Sequence, residues 1–461
     1  MSDVLALQQE RGQLYSDFYS NIIPKRMPVG ISFGQHIVAE YGEQNLFDFQ
    51  FDYALMADPS RKLCEKVYSD SCPVAPANFL LSRTPSMYQL FGSQSFVMGN
   101  GGFVQHPEVV GMQDSEYDLL IEKGFDFLVE TVIPRQHKNL DPADPILMAA
   151  SIQMGKMALQ NDEAAFLPTF FELIQAHGYY LGSPLGSFNF TEAPMDFIAD
   201  QLRSFSGISM DIRRHRTQLK EAAEVMMPLL FHWGLPANIH PEGSVFIPLH
   251  MPTFMREKDF TEIYMPSYKK MLQQFAAVGA RPNMFCEHDW MRYLDILLSE
   301  IPAGSQLAFE YGDPQTIKDK LGKKFILTGL FPSSALKTDT PEQITDRAKA
   351  FLDIMLPGGG YIFGFDKNPL TLKEVNIETL AALTETMRDY GNFENVGQSF
   401  GMPLNSEGFK YDENMVPKPQ SQYLFDWNAF KEKYPLTPDF SRANFERFSK
   451  ETFDFYMNLL I

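Results

Sequence analysis

Glu287, Asp366 and His250 are the residues whose type and position best suit chemistry. Each stands where a short apolar run stops: SVFIPLH ends on His250, PNMFCE ends on Glu287, and Tyr361–Phe365 leads into Asp366. Two carboxylates brought together could bind a metal, act as acid and base, or pair with an arginine. Arg292, shortly after Glu287, is the nearest such arginine in sequence. His250 could complete a His/Glu/Asp metal set, because imidazole and carboxylate commonly combine in metal sites. The alternative for His250 is an ordinary hydrogen bond to a backbone carbonyl. Gln35 and His36 follow the run MPVGISF and either bind a polar ligand or sit as loop residues with water partners. Asp313, between Gly312 and Pro314, reads first as a helix N-cap. Strand alternation sends Cys286 to the face opposite Glu287, outward beneath a helix. His288 lies past the strand, where alternation no longer decides.

These residues depend on a rhythm of strands and helices. From Arg281 to Asn376 the chain reads strand, loop, helix repeatedly, with strands at Pro282–Glu287, Gln306–Tyr311, Lys324–Leu330 and Tyr361–Phe365. Leu294, Leu297 and Leu298 mark one helix by their spacing. Thr340-Pro341-Glu342-Gln343 is a capping box opening another. Upstream, Met27–Phe33, Pro73–Leu81, Phe125–Thr131 and Ser244–His250 read as strands. Helices are expected over residues 2–21, 48–68, 144–177, 193–205, 212–230, 260–278, 377–390 and 440–458. Near-continuous apolar strands alternating with helices imply a parallel sheet buried on both faces. The expected fold is α/β, a closed (β/α)8 TIM barrel with its chemistry at the C-terminal strand ends. Residues 1–23 form an N-terminal helix, 24–391 the barrel and 392–461 a C-terminal extension wrapping the barrel or a second subunit.

Composition narrows the partners. The chain has 461 residues, 44% of them hydrophobic, and a formal net charge of −19. That length suits one elaborated barrel. The acidity argues against nucleic acid or an anionic membrane, which need clustered Lys and Arg. Three cysteines, Cys64, Cys72 and Cys286, give no disulfide framework and point to a reducing, cytoplasmic compartment. The start lacks a signal-peptide pattern, and no apolar run is long enough to span a bilayer. The run Gly99-Asn100-Gly101-Gly102 lacks the residues of a phosphate cradle. The aromatic C-terminal helix suggests a homodimer.

The stretches FCEHDWMRYLDIL, GDPQTIKDKLGKKFILTGLFPSSALKTDTPEQITD and GGGYIFGFDKNPLTLKEVN resemble the C-terminal half of the uroporphyrinogen decarboxylase superfamily. The resemblance runs from about 240 to 391 and is looser from 24 to 240. It implies the same (β/α)8 barrel. The decarboxylases grip propionates with an arginine loop after the first strand. Here that place reads Ser32-Phe33-Gly34-Gln35-His36-Ile37, without arginine, and bidentate carboxylate capture needs guanidinium. Asp366 takes the place of their late histidine. In the corrinoid-linked methyltransferase branch, which includes enzymes acting with coenzyme M, His-x-Cys and a later Cys hold zinc. Phe285, Glu287 and Asp366 occupy those places here. The resemblance therefore implies a methyltransferase moving a methyl group between a small donor or thiol and a corrinoid, with a corrinoid protein as partner. Glu287 and Asp366, with His250, would hold zinc or another metal, and Gln35, His36 and Arg292 would bind substrate. The alternatives are a tetrapyrrole decarboxylase with an altered pocket and a non-catalytic corrinoid- or tetrapyrrole-binding protein.

Overall fold

The computed structural model describes residues 2–74, 84–182 and 184–461. Its centre is a parallel sheet in the order β1-β2-β3-β4-β5. The strands are β1 (Phe188–Phe190), β2 (Ser244–Leu249), β3 (Pro282–Asp289), β4 (Gln306–Tyr311) and β5 (Ile326–Gly329). Helices Arg216–Gly234, Met265–Val278, Leu294–Glu300 and Pro314–Leu321 make the crossovers. Val245, Ile247, Leu249, Met284, Cys286, Leu307 and Phe309 are fully buried. The inner strands are therefore covered, as their apolar runs required, whereas β1 at the edge is partly exposed, Phe188 most of all.

The ladder covers five strands of a mixed α/β fold, and other expected strands attach to it less regularly. Tyr361–Phe365 joins through two isolated parallel bridges, Leu327 to Tyr361 and Phe331 to Phe365. The reason lies in the backbone between them. Gly329 and Leu330 adopt φ of 84° and 69°, so the preceding strand turns out of extended geometry. Gly364 lies so close that a Cβ there would stand 2.5 Å from Thr328 Oγ1. Met27–Phe33 runs beside 69–73, with Asp70 N–H donating to Val29 O at 2.7 Å and Phe33 N–H to Pro73 O at 2.8 Å. Side chains replace the intervening ladder bonds: Asp70 accepts from Val29 N–H and Ser69 Oγ from Ile31 N–H. Residues 75–81 of the expected Pro73–Leu81 strand lie outside the described residues. A parallel bridge joins Ser71 to Tyr180.

Phe125–Thr131 is helical: Phe125–Phe127 runs into a wide π-helical turn, Leu128–Val132. Buried Phe125, Leu128 and Val132 recur at helical spacing, which an apolar run this short conceals. The expected helix 193–205 is a short helix, Pro194–Phe197, followed by a π-helical turn, Ile198–Arg203. The chain restarts as a helix at Phe205–Arg214. Helices Ser2–Tyr19, Pro145–His177, Ile377–Tyr390 and Arg442–Asn458 stand where the sequence places them. Thr340 and Gln343 form the expected capping box.

The C-terminal extension folds back on its own chain. His137 Nε2 and the Leu459 carbonyl are 2.8 Å apart, the Tyr88 hydroxyl donates to the Ile461 carbonyl, and Trp233 Nε1 donates to Asn458 Oδ1. Among the described residues no helix is long and apolar enough to cross a membrane.

Candidate active site

A cavity of about 1290 Å³ opens at the β1–β2 end of the sheet. Phe246, Pro248 and His250 line it, alternating with buried Val245, Ile247 and Leu249, so one face of β2 and the residue after it serve the cavity. β1 contributes Phe188, Asn189 and Phe190, and the chain beyond it contributes Glu192, Asp200 and Gln201. Trp233, Asn458 and Ile461 complete one wall, the last two from the C-terminal extension.

His250 is held from both sides. Its Nδ1 is 2.7 Å from Asp200 Oδ2 and its Nε2 is 3.1 Å from Glu287 Oε2. The sheet register explains the second contact. Leu249 lies opposite Cys286, which sets the following residues, His250 and Glu287, side by side. The first contact comes from the π-helical turn, which carries Asp200. Such turns recur at functional sites because the extra residue re-aims side chains. Burial works against an imidazolium here. The hydrogen bond and charge of Asp200, with the charges of Asp196 and Glu287, outweigh it and push the His250 pKa up to about 10.

Two carboxyl groups sit deeper. Glu192 is 3% exposed; its Oε1 accepts from Gln201 Nε2 at 2.8 Å and its Oε2 has no partner among the described residues. Burial, then the charge of Asp200, raises its pKa to about 8. Asp196 accepts from Met251 N–H at 2.7 Å and from the Tyr264 hydroxyl at 2.5 Å. It therefore fixes the turn after β2. Burial and the Asp200 charge raise the Asp196 pKa to about 7. The arrangement sets a neutral carboxylic acid beside an imidazolium, equipment for acid–base catalysis.

The residues singled out from sequence divide. Glu287 and His250 meet. Asp366 does not join them: its Oδ1 accepts from Ser333 N–H at 3.0 Å and Lys367 N–H at 2.7 Å. Neither Glu287 nor Asp366 lines the cavity, so the expected pair of facing strand-end acids is not assembled there. Arg292 makes no ion pair with Glu287; it donates to the carbonyls of Thr253 at 2.6 Å and Met255 at 2.9 Å, clamping the turn after β2. Gln35 is buried behind the wall, paired with Gln50 at 3.2 Å. His36 does face the cavity, stacked on Phe103 with ring centroids 4.1 Å apart. Burial lowers its pKa to about 4, so it is neutral. Asp313 is the N-cap of Pro314–Leu321, and Cys286 is fully buried. His288 sits at φ of 62° with its N–H donating to Glu310.

Glu192, Asp196, Asp200 and Gln201 were missed. Their signal was available: three acids spaced by four in the otherwise apolar stretch TEAPMDFIADQL, one helical face after a strand. A resident zinc does not fit. Among the described residues no group of three His, Cys, Asp or Glu side chains could hold a metal, and carboxylates occupy both His250 nitrogens.

No family model matches the chain, and no curated protein matches it. Among solved structures it is similar to a methyltransferase from Methanosarcina mazei, with 14% identity and a TM-score of 0.49, over 83% of this chain and 98% of that one.

Proposed function

We propose that the chain is a methyltransferase working in the cavity between β1 and β2, with Glu192 as its general acid. The observation that carries the acid–base role is the Glu192 carboxyl, buried at the cavity wall with one oxygen lacking a partner among the described residues. The reaction class rests on the sequence resemblance over residues 240–391. In a methyl displacement the bond from the methyl carbon to the leaving atom breaks, and its electron pair stays on that atom. The acceptor's lone pair forms the new bond. A proton delivered to the leaving atom lowers the barrier. Glu192 delivers it and is reprotonated from solvent. The His250 imidazolium, fixed by Asp200 and Glu287, sets the field around that carboxyl and positions the turn. The methyl acceptor is a small thiol or a corrinoid brought by a partner protein. Tetrapyrrole decarboxylation is disfavoured, since no Lys or Arg stands among the described lining residues to hold propionates.

The same proposal extends to the sheet. We infer that Met27–Phe33, 69–73 and Tyr361–Phe365 complete a (β/α)8 barrel with the five ladder strands; the parallel bridges at Tyr361 and Phe365 and the backbone hydrogen bonds of Val29 and Phe33 support this reading.

The test is methyl transfer from a panel of amine, ether and thioether donors to a thiol or a corrinoid protein. Glu192→Gln should lower the rate by about 10²–10⁴-fold, the usual worth of a positioned proton donor. A variant as fast as the wild type, or no transfer from any donor, contradicts the proposal.

A further inference from the structure

The cavity carries three acceptor oxygens that receive no hydrogen bond among the described residues: Glu192 Oε2, Asp200 Oδ1 and Gln201 Oε1. All three residues line it, and Glu192 and Gln201 are each 3% exposed. Leaving buried acceptors unmade costs about 1–3 kcal/mol each, so a ligand that donates hydrogens gains what the protein withholds. Asp200 and Gln201 are neighbours on the π-helical turn, and the Gln201–Glu192 hydrogen bond brings Glu192, from the segment before Pro194–Phe197, beside them. Beside them stands an aromatic corner. Phe190 meets Trp233 edge-on at 5.4 Å between centroids and lies 6.1 Å from Phe246. Glu108 and Glu163 add two further carboxyl groups, and no Lys or Arg is among the described lining residues. The His250 imidazolium is already matched by Asp200 and Glu287, so the acceptor oxygens, the carboxyl groups of Glu108 and Glu163 and the π faces together select for a cation with N–H groups. A bare metal ion is the poorer occupant, because no three of these side chains are arranged to ligate one.

We propose that the methyl donor is an N-methylated organic ammonium, its N–H groups on Glu192, Asp200 and Gln201 and its carbon substituents against Phe190, Phe246 and Trp233. This rests on the methyltransferase reading and names its substrate class. Glu192, the general acid, gives its proton to the amine nitrogen before transfer, so the nitrogen is held as the ammonium against the resulting Glu192 carboxylate and that one proton leaves with the amine. When the C–N bond breaks, its electron pair stays on nitrogen and a neutral amine departs, while the thiolate or corrinoid acceptor takes the methyl carbon.

Isothermal titration calorimetry of the full chain tests the binding with three probes: N-methylbenzylammonium, benzyltrimethylammonium and phenylacetate. The first should bind saturably. The second, a cation without N–H, should bind at least about tenfold more weakly, and phenylacetate should not bind. Glu192→Gln and Asp200→Asn, each first shown to melt cooperatively, should each weaken N-methylbenzylammonium binding about tenfold or more. Phenylacetate binding as well as the ammonium, or both variants binding it like the wild type, overturns the proposal. Methyl transfer assayed in parallel separates the two readings. Transfer from methoxybenzene without ammonium binding sinks the substrate class and spares the reaction. Ammonium binding, weakened in both variants but without transfer from any donor, supports the cation site and sinks the reaction.

Discussion

His250 shows how one side chain couples the site to stability. Its unfolded-state pKa is about 6.5, and its folded value is about 10 because Asp200 and Glu287 flank it. A raised folded pKa means that the folded state binds the proton more tightly. The stabilisation is therefore complete below pH about 6.5 and is lost as pH rises through about 10. Glu192 acts in the same direction, its stabilisation fading between the ordinary carboxylate range and about 8. The melting temperature should fall between pH 6.5 and 10, and His250→Gln should flatten that slope in a calorimetric pH series. An unchanged slope would remove His250 from this role. At this scale the sequence was half legible. Glu287 and His250 showed themselves as polar residues closing apolar runs, although β3 continues two residues past Glu287 to Asp289. Glu192 and Asp200 were missed although their four-residue spacing was readable, because only the π-helical turn shows that Asp200 is aimed at the histidine.

At the level of elements, the crossover rhythm and the helix starts were readable because they follow from local chemistry. Asp313, Thr340 and Asn376 cap the helices they precede. The irregular strands were less readable, since their geometry depends on close backbone approach. Gly329 is the clearest case. It sits at φ of 84°, and a Cβ there would stand 2.5 Å from the Phe309 carbonyl oxygen. Strained backbone costs about 1–3 kcal/mol by itself, and here a rigid neighbour adds a clash. Gly329→Ala should destabilise the fold by at least about 2 kcal/mol in urea unfolding. A loss under half of that would show that β5 can shift to accommodate the methyl group. Phe125–Thr131 failed as a strand for a different reason: a short apolar run fits either period, and its packing chose the helix.

For the molecule as a whole, buried charge ties the chain's beginning to the first extended segments. Asp70, with its side chain fully buried, accepts from both Arg26 Nη atoms at 2.7 and 2.8 Å, from the Tyr68 hydroxyl and from Val29 N–H, and lies 3.4 Å from Arg11 Nε. Removing it would leave two buried guanidiniums without their carboxylate. Asp70→Ala should cost about 3–5 kcal/mol, read by the same unfolding series; a surface-like loss below about 1 kcal/mol would contradict the cluster's role. This long-range tie was invisible in sequence; the extension was expected to wrap the barrel or a second subunit, but not that Asn458 and Ile461 would reach the cavity wall. Both depend on contacts between distant positions that no local pattern records. The account as a whole turns on a neutral carboxyl at that wall. Infrared difference spectra of wild type against Glu192→Gln, taken across pH, measure it directly. A protonated-carboxyl band should persist in the wild type until about pH 8 and be missing from the variant. Disappearance of that band near the ordinary glutamate range, about pH 4.3, would contradict the account.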